Sequence, residues 1–197
     1  IALINLKKRE DRKDAATKIL DEFGVKYELW EATDNTEKPC EGLVDSMQRY
    51  FNKCLREGAE RCLIFEDDIL PLVDKDVFNE TINSCIALLP NDWDLFYLGG
   101  NVTSGFDSFH SANLLTVKRV FATHATAYSK RAMEFIAKRI IKEPVDNCLV
   151  REFQPYAKCF ISYPMLFTQK PNHSDIGNTY TDWSRFLEIR YDSEFKR

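Results

Sequence analysis

Three adjacent carboxylates, Glu66, Asp67 and Asp68, stand directly after the apolar run 62–65. Like charges so close together repel one another, so the triplet is unfavourable unless a cation or solvent compensates it. In an open α/β sheet, ligands bind in the crevice at the carboxyl ends of the strands. Carboxylate oxygens suit Mg²⁺ or Mn²⁺, ions that also bind diphosphate groups. The triplet therefore predicts a metal site with Asp68 and Asp67 as ligands.

The same triplet also has a purely structural interpretation. An acidic turn can cap the following helix or face water, and runs of acidic residues are common enough to allow this. The segment alone gives the two interpretations about equal weight. The choice between them depends on the rest of the chain.

The hydrophobic pattern predicts the scaffold that would position these carboxylates. The predicted strands are 2–6, 25–30, 62–65, 94–98 and 158–166, with further strands between 114 and 129. The predicted helices are 11–23, 43–57, 77–89 and 130–141, with a short helix capped by Asp146. Short strands that alternate with helical segments are typical of a sheet built from crossover units. The predicted fold class is therefore α/β.

Length and charge limit the possible kinds of protein. A chain of 197 residues with 44% hydrophobic content can bury one sizeable core, which predicts a single domain over 1–197 with a possible C-terminal extension at 182–197. The 27 basic and 31 acidic residues are well mixed and give a net charge of -4. We therefore expect no nucleic-acid partner, and no apolar run has the length of a transmembrane segment.

The cysteines indicate the redox environment. None of the six belongs to a Cys-x-x-Cys pair or to a cluster with zinc spacing. Several occupy apolar positions of predicted helices or strands, which favours buried free thiols over a disulfide framework. This usage predicts a reducing, cytoplasmic location.

Several segments, in this order, resemble glycosyltransferase family 25, the lipopolysaccharide and collagen-type sugar transferases. The resemblance covers most of the chain, and its most specific part is the acidic triplet, which is similar to a DxD-like metal motif. The segments that carry it are 4–12, with an Asn-Leu pair followed by basic residues, 31–34, 63–69, 94–99, 123–129, 145–146 and 169–176. One departure is the pair Ser46-Met47, which stands where family members carry Ser-His.

The resemblance implies a single GT-A type nucleotide-diphospho-sugar transferase domain, with a Rossmann-like mixed sheet flanked by helices. The implied reaction is metal-dependent transfer of a hexose from a nucleotide diphosphate sugar, a UDP-sugar in our interpretation, to an acceptor hydroxyl. The implied acceptor is a glycan or glycoprotein, the implied stereochemical outcome is inversion, and the implied cofactor is Mn²⁺ or Mg²⁺.

The resemblance also assigns residues to the donor. These are Asn5, Leu6, Arg9, Arg12, Thr33, Asp34, Glu66 and Asp67. Arginine suits phosphate through its charged, forked donors, whereas a basic solvated turn is the alternative for Arg9 and Arg12. Thr33 and Asp34 would contact the uracil or the ribose, with a plain turn as the alternative.

Later segments would supply the acceptor side. An inverting transfer needs a base that takes the acceptor proton, and Asp146 is the candidate, with Asp175 as its competitor. The alternative for Asp146 is a helix N-cap. His173, in a late loop, is a candidate third metal ligand or an exposed loop histidine. His124 lies inside a strand pattern and is predicted to be structural.

Two other classes of function fit parts of the same pattern. A non-catalytic nucleotide-sugar or carbohydrate-binding module would keep the fold, although it would have no need of an intact acidic triplet. A metal-dependent nucleotidyltransferase or phosphoesterase also uses carboxylates at strand ends. Such enzymes commonly carry further phosphate-binding motifs, and the sequence has no Gly-x-x-x-x-Gly-Lys loop.

Overall fold

A computed structural model of the chain describes the backbone of residues 1–103, 106–173 and 180–181, and the side chains of 1–103, 110–171 and 180. The helices within these ranges are α1 (Glu10–Glu22), α2 (Pro39–Arg56), α3 (Lys75–Leu88), α4 (Lys130–Ala137) and α5 (Val145–Cys148). A π-helical segment, Leu149–Phe153, continues α5 directly.

The strands, in chain order, are β1 (Ala2–Asn5), β2 (Glu28–Glu31), β3 (Arg61–Glu66), β4 (Ile69–Pro71), β5 (Leu95–Tyr97), β6 (Asn101–Val102), β7 (Phe106–Ser111), β8 (Leu114–Val117), β9 (Val120–Phe121), β10 (Ala125–Ser129), β11 (Cys159–Ser162), β12 (Phe167–Gln169), β13 (Asn172–His173) and β14 (Tyr180–Thr181). Eight of them form one sheet in the order β2-β1-β3-β10-β5-β11-β8-β7. The remaining strands pair as β4 with β12, β6 with β9 and β13 with β14.

The main sheet is mixed. Strand β1 runs parallel to β2 and β3, and β5 runs parallel to β11, whereas β10 lies antiparallel between β3 and β5. The carboxyl ends of β1, β3 and β5 therefore meet the amino end of β10 at one edge of the sheet. This architecture confirms the predicted α/β class, and the acidic triplet follows β3 at that edge.

Buried side chains alternate between the two faces of the sheet and hold β1 and β3 in place. Ile4 and Ile64 belong to the core on the face covered by α2 and α4, and Leu3 and Phe65 belong to the core on the face covered by α1 and α3. Full burial of one such side chain contributes about 1.5–3 kcal/mol. Since both faces of β3 are buried, the residue that ends the strand has a well-defined position.

Local signals explain where the helices begin and end. Helix α1 ends next to Gly24, whose φ of 72° is a backbone conformation that favours glycine. Helix α2 begins at Pro39, four residues before the predicted start, because proline suits the first turn while the apolar periodicity begins only at Leu43. Helix α4 ends at Ala137, which makes the prediction of a helix over 130–141 too long.

A short ribbon of β4 and β12 crosses the edge of the sheet next to the triplet, and the sequence did not predict it. The backbone N–H groups of Leu166 and Phe167 donate to the carbonyl of Leu98 at 2.7 and 3.2 Å. A Cβ atom at Gly99 would lie 1.8 Å from the carbonyl oxygen of Phe167. Only glycine at residue 99 allows the ribbon to approach this closely.

All six cysteines are free and five of them are buried, which confirms the prediction of buried thiols. Every helix within the described ranges is too short or too polar to cross a lipid bilayer. The possible C-terminal extension at 182–197 lies outside the described residues, so the single-domain interpretation stays a prediction.

Candidate functional site

The three carboxylates of the triplet point to three different neighbours. Glu66 is the last residue of β3, and Asp67 and Asp68 form the turn that leads into β4. All three residues are half-buried. The site is therefore a set of three contacts around one strand end.

Asp67 faces the end of β1 and is compensated by it. The amide nitrogen of Asn5 donates to Asp67 Oδ2 at 2.7 Å, and Arg12 Nη1 lies 3.3 Å from Asp67 Oδ1. Burial raises the pKa of Asp67, while the Arg12 charge and the Asn5 hydrogen bond oppose that rise. Both oxygens of this carboxylate thus have a partner from the first strand and helix.

Glu66 faces the opposite neighbour, β10. The hydroxyl of Thr123 donates to Glu66 Oε1 at 2.9 Å, and the Glu66 backbone N–H donates to the carbonyl of His124 at 2.9 Å. Burial raises the pKa of Glu66, and the negative charges of Asp68, Asp67 and Asp146 add to the rise. The pKa of Glu66 is therefore raised to about 8, well above the usual value for a glutamate.

Asp68 lies between them, against the β4–β12 ribbon. Gln169 Nε2 donates to Asp68 Oδ2 at 3.2 Å, and the Lys170 N–H donates to the Asp68 carbonyl at 2.6 Å. The other carboxylate oxygen, Oδ1, is buried and has no hydrogen-bond partner within the described part of the chain. Buried polar atoms are normally paired, so an acceptor like this one suits a cation. Burial and the neighbouring Asp67 charge raise the pKa of Asp68.

The structure brings Asp146 to the Glu66 side of the site. Asp146 Oδ2 accepts the backbone N–H of Ala122 at 3.1 Å, and the next residue, Thr123, bonds Glu66. The N-cap position of α5 is Pro144, so the interpretation of Asp146 as the cap of that helix is wrong. Its carboxylate instead holds Ala122 in a conformation with a φ of 67°, which is uncommon for a residue other than glycine.

A cavity of about 560 Å³ opens beside the ends of β1 and β2, where the predicted donor residues Thr33 and Asp34 lie. The lining includes Lys7, Lys8, Glu31, Thr33, Asp34 and Arg49. Asp34 is exposed and pairs with Lys8 Nζ at 2.7 Å. The cavity therefore combines cationic groups with hydrogen-bond acceptors.

Side chains of helix α2 fix Thr33 by hydrogen bonds. Ser46 Oγ accepts the Thr33 N–H at 2.8 Å, and Arg49 Nη2 donates to Thr33 Oγ1 at 2.9 Å. The same hydroxyl donates to the carboxylate of Asp45. Thr33 thus shapes the cavity wall, while Asp34 presents its carboxylate to the opening. Ser46, from the departing Ser46-Met47 pair, acts here as a buried anchor.

The remaining predicted donor residues form the turn after β1. The Arg9 N–H donates to the Leu6 carbonyl at 2.8 Å, and Asn5 Nδ2 also donates to the Arg9 carbonyl at 3.1 Å. Arg9 Nε lies 3.1 Å from the carboxylate of Asp11. The structure therefore brings Asn5 and Arg12 to the triplet and turns this part of Arg9 toward Asp11.

The histidine predictions have different outcomes. His124 is buried, its Nε2 lies 3.3 Å from the Phe167 carbonyl, and burial lowers its pKa to about 4, which fits the predicted structural role. His173 lies in β13, but its side chain is outside the described residues, as is the whole of Asp175. Their assignments stay predictions.

A different group has the tightest cluster of potential metal ligands. Within the described ranges, Glu143, Cys148 and Glu152 are the three such side chains whose ligand atoms lie within 4.8 Å of one another. Both glutamates are ion-paired to Arg151, which makes this cluster a charge-compensated network. The carboxylates of the triplet diverge instead, so an ion at Asp68 would need ligands beyond the triplet.

Three residues of the site were not predicted from the sequence. Thr123, Gln169 and Arg49 contact Glu66, Asp68 and Thr33, respectively. Thr123 and Gln169 fell inside the segments that resemble family 25, but their contacts depend on strand pairing. For Arg49, the sequence offered one usable signal: a cation on the polar side of a predicted helix, four residues after Asp45, with which it forms an ion pair.

Comparison with known proteins yields a likeness of fold. No protein-family model matches the chain, and no curated protein matches it. The structure of a glycosyltransferase involved in the glycosylation of the major capsid of PBCV-1 aligns with a TM-score of 0.57 and 12% identity, covering 97% of each chain. A Drosophila β-1,4-galactosyltransferase 7 mutant in complex with manganese, UDP-Gal and xylobiose aligns with a TM-score of 0.48 and 13% identity, over 100% of this chain and 80% of that one. The first likeness shows a fold of GT-A type.

Proposed function

We propose that this protein is a metal-dependent glycosyltransferase that transfers a hexose from a UDP-sugar to an acceptor hydroxyl of a glycan or glycoprotein, with inversion. The observation that carries the proposal is the buried Oδ1 of Asp68 at the carboxyl edge of a GT-A type sheet, an atom with no hydrogen-bond partner among the residues that the structure describes. A buried acceptor atom that no described residue hydrogen-bonds, beside a second carboxylate, fits a divalent cation better than it fits a structural turn.

The residues present fit Mn²⁺ or Mg²⁺ bound in an open manner. Mg²⁺ is commonly held by one or two carboxylates together with substrate phosphates and water, so the divergence of the triplet is no obstacle. Asp68 would be the main protein ligand, with Asp67 and His173 as further candidates. Bound there, the ion would neutralise charge on the departing diphosphate.

The chain's own residues would position the donor. The cavity beside Thr33 and Asp34 lies at the end of β2, next to β1, at the same edge as the triplet. It would take the base and ribose, while the turn of Leu6 and Arg9 would lie along the diphosphate. Arg12 and Asn5 hold Asp67 in one orientation. The Asp67 carboxylate is therefore preorganised and would not need to rearrange when the donor binds.

Asp146 is the proposed base for the acceptor hydroxyl, with Asp175 as the competing candidate. The support is that Asp146 stands on the β10 side of the site, opposite the donor cavity. A carboxylate there would take the hydroxyl proton as the oxygen attacks the anomeric carbon. The diphosphate leaves on the other side, toward Asp68.

The direct test measures UDP binding by calorimetry, with Mn²⁺ and with excess chelator. We expect binding only with metal. Asp68→Asn should abolish this metal dependence and reduce turnover by at least about a hundredfold, because loss of a Lewis acid removes several kcal/mol of transition-state stabilisation. Asp76→Asn, an exposed change in α3, is the matched control and should bind UDP normally.

Equal UDP affinity in Mn²⁺ and in chelator would refute the metal role of Asp68. Metal-dependent binding without sugar transfer to any glycan would favour a binding module. Release of pyrophosphate from a nucleoside triphosphate and a sugar phosphate would instead identify a nucleotidyltransferase.

A further inference from the structure

The carboxylate of Asp68 is held by a side chain that has no part in the proposed reaction. Gln169 Nε2 donates to Asp68 Oδ2 at 3.2 Å. Gln169 is the last residue of β12, and in the β4–β12 ribbon it pairs with Ile69, the residue after Asp68. The register of the ribbon therefore decides which side chain reaches this carboxylate.

The backbone is fixed on both sides of Gln169. After it, the Lys170 N–H donates to the Asp68 carbonyl at 2.6 Å. Before it, the Phe167 N–H donates to the Leu98 carbonyl at 3.2 Å, and the Phe167 carbonyl lies 3.3 Å from His124 Nε2. The Gln169 side chain thus starts from a position that does not depend on its own bond to Asp68.

The two carboxylate oxygens of Asp68 have different surroundings. Oδ2 accepts the Gln169 amide, whereas Oδ1 is buried and has no hydrogen-bond partner among the residues that the structure describes. Burial and the Asp67 charge raise the pKa of Asp68, and the charge of Arg12, which is ion-paired to Asp67, lowers it. These charges act on the carboxylate as a whole. The amide is the contact that distinguishes one oxygen from the other.

This asymmetry matters for the kind of cation that the carboxylate binds. The amide hydrogen carries a partial positive charge, so a cation is attracted more strongly to Oδ1 than to Oδ2. Ca²⁺ takes six to eight oxygen ligands and often uses both oxygens of one carboxylate, whereas the smaller Mg²⁺ is commonly bound by one or two carboxylates together with water and phosphate. Mn²⁺ also suits such oxygen ligands. A carboxylate with one available oxygen therefore disfavours Ca²⁺.

We infer that Gln169 is a positioning residue that determines which divalent cation the acidic site accepts. The inference rests on the proposed function and deepens it by naming a residue that discriminates against Ca²⁺. Gln169 occupies Oδ2 of Asp68, the cation binds through Oδ1, and the site prefers Mn²⁺ to Ca²⁺.

The test titrates the nucleotide-free protein with MnCl₂ and with CaCl₂ by calorimetry and compares the two dissociation constants. The unmodified protein should bind Mn²⁺ at least about tenfold more tightly than Ca²⁺. Gln169→Met keeps the length of the side chain but removes the amide, and it should reduce this preference about tenfold, because a hydrogen bond to a charged group is worth at least that factor.

Gln169→Glu is the second variant, and it decides the question if Gln169→Met does not fold. It places another acidic ligand beside Asp68, so Ca²⁺ should bind more tightly to it than to Gln169→Met, since the affinity of Ca²⁺ sites rises with the number of charged ligands. Melting temperatures in chelator check that each variant is folded. A merely structural role of Gln169 would weaken both cations equally in both variants and would overturn the inference.

Gln48→Met is the matched control. Gln48 Nε2 donates to the carbonyls of Ile136 and Arg139 at 2.8 and 2.7 Å, so this variant also removes a bonded glutamine amide, at the contact between α2 and the end of α4. The ratio of the two dissociation constants should be the same in Gln48→Met as in the unmodified protein. An unchanged ratio in Gln169→Met, or the same change in Gln48→Met, would contradict the proposed role of Gln169.

The outcome is separable from that of the proposed function. Metal-dependent UDP binding together with an unchanged ratio in the Gln169 variants would refute only the role of Gln169. The expected ratios without any UDP binding would refute the proposed function and leave a selective cation site at Asp68. Binding of neither cation would overturn both.

Discussion

The acidic end of β3 has different electrostatic surroundings on the side of β1 and on the side of β10. On the β1 side, the Asp67 carboxylate is ion-paired to Arg12 and accepts a hydrogen bond from the Asn5 amide. On the β10 side, Glu66 receives one hydroxyl, from Thr123, and faces the negative charge of Asp146. One strand end thus has a compensated half and an uncompensated half.

This difference indicates a division of labour. A compensated carboxylate keeps one orientation and one charge, which suits a residue that fixes the geometry of a binding site. Uncompensated carboxylates keep a high proton affinity, which suits groups that exchange protons or bind a cation. The comparison predicts that loss of a carboxylate on the β10 side lowers turnover and leaves stability unchanged, whereas loss of a partner of Asp67 on the β1 side also lowers stability.

The largest effect is expected for Asp146→Asn. Turnover should fall by about a hundredfold to ten-thousandfold, the usual contribution of a general base, while UDP affinity and melting temperature remain unchanged. The asparagine side chain keeps an oxygen that can accept the Ala122 N–H, so the loop should stay in place. Steady-state rates, calorimetry and thermal unfolding measure the three quantities.

Asp175→Asn is the companion variant for that experiment. A large loss of turnover only in Asp175→Asn would move the base role to Asp175. Normal turnover in both variants would show that neither carboxylate takes the acceptor proton.

A smaller effect, on stability, is expected from Arg12→Met. The change removes the cation beside Asp67, only 11% of whose side chain is exposed, and leaves this carboxylate with the Asn5 hydrogen bond alone, so the free energy of unfolding should fall by about 2 kcal/mol. The loss should be smaller when Asp67→Asn is already present, with a coupling of about 1 kcal/mol in a double-mutant cycle. Chemical denaturation measures both values.

Lys130→Met provides the control for that cycle, because it breaks an ion pair with Glu60 in which both side chains are exposed. Exposed pairs contribute little, so denaturation should be unaltered. Equal losses in Arg12→Met and Lys130→Met would contradict the division between the two halves of the strand end.

The smallest effect is expected from pH alone. The folded protein holds protons on Asp68 and Glu66 up to pKa values of about 6 and about 8, whereas the unfolded chain releases them near the ordinary values of 3.8 and 4.5. Since the folded state binds more protons in that interval, stability in chelator should fall as pH rises from about 4 to about 8. Allowing for solvent screening at these partly exposed groups, we expect about 1 kcal/mol, or about 2–4 °C in melting temperature.

Two additions sharpen that measurement. Mn²⁺ replaces protons on carboxylates, so it should raise the melting temperature more at pH 8 than at pH 5. Glu66→Gln should flatten the decline with pH, because an amide does not titrate. A decline that is the same with and without Glu66 would assign it to other groups.

The sequence predicted the parts of the site that depend on local order. Asp68 and Asp67 could be identified because an apolar strand followed at once by carboxylates is visible in seven consecutive letters, 62–68. The α/β class likewise follows from periodicity. Asn5 was assigned to the donor only through the resemblance to family 25, and its contact with Asp67 follows from the pairing of β1 with β3.

Other contacts of the site could not be predicted from the sequence, because they depend on which strands pair. Thr123 and Glu66 are 57 positions apart, and Gln169 and Asp68 are 101 apart, so each contact needs a specific strand pairing. Periodicity does not say that β10 lies antiparallel beside β3, or that β12 folds back on β4. The predicted cap at Asp146 failed similarly, since its carboxylate bonds a residue 24 positions earlier.

The close approach at Gly99 makes the site dependent on the absence of a single methyl group. The ribbon that crosses residue 99 carries Gln169 to Asp68, so a displacement of Phe167 also moves Gln169, two residues further along, and with it the hydrogen bond to the Asp68 carboxylate. Residue 99 contacts none of the three carboxylates, yet a side chain larger than hydrogen there would displace the ribbon that supports Asp68. A mutational library that varies this position would lose function through geometry alone, with every reacting group still present.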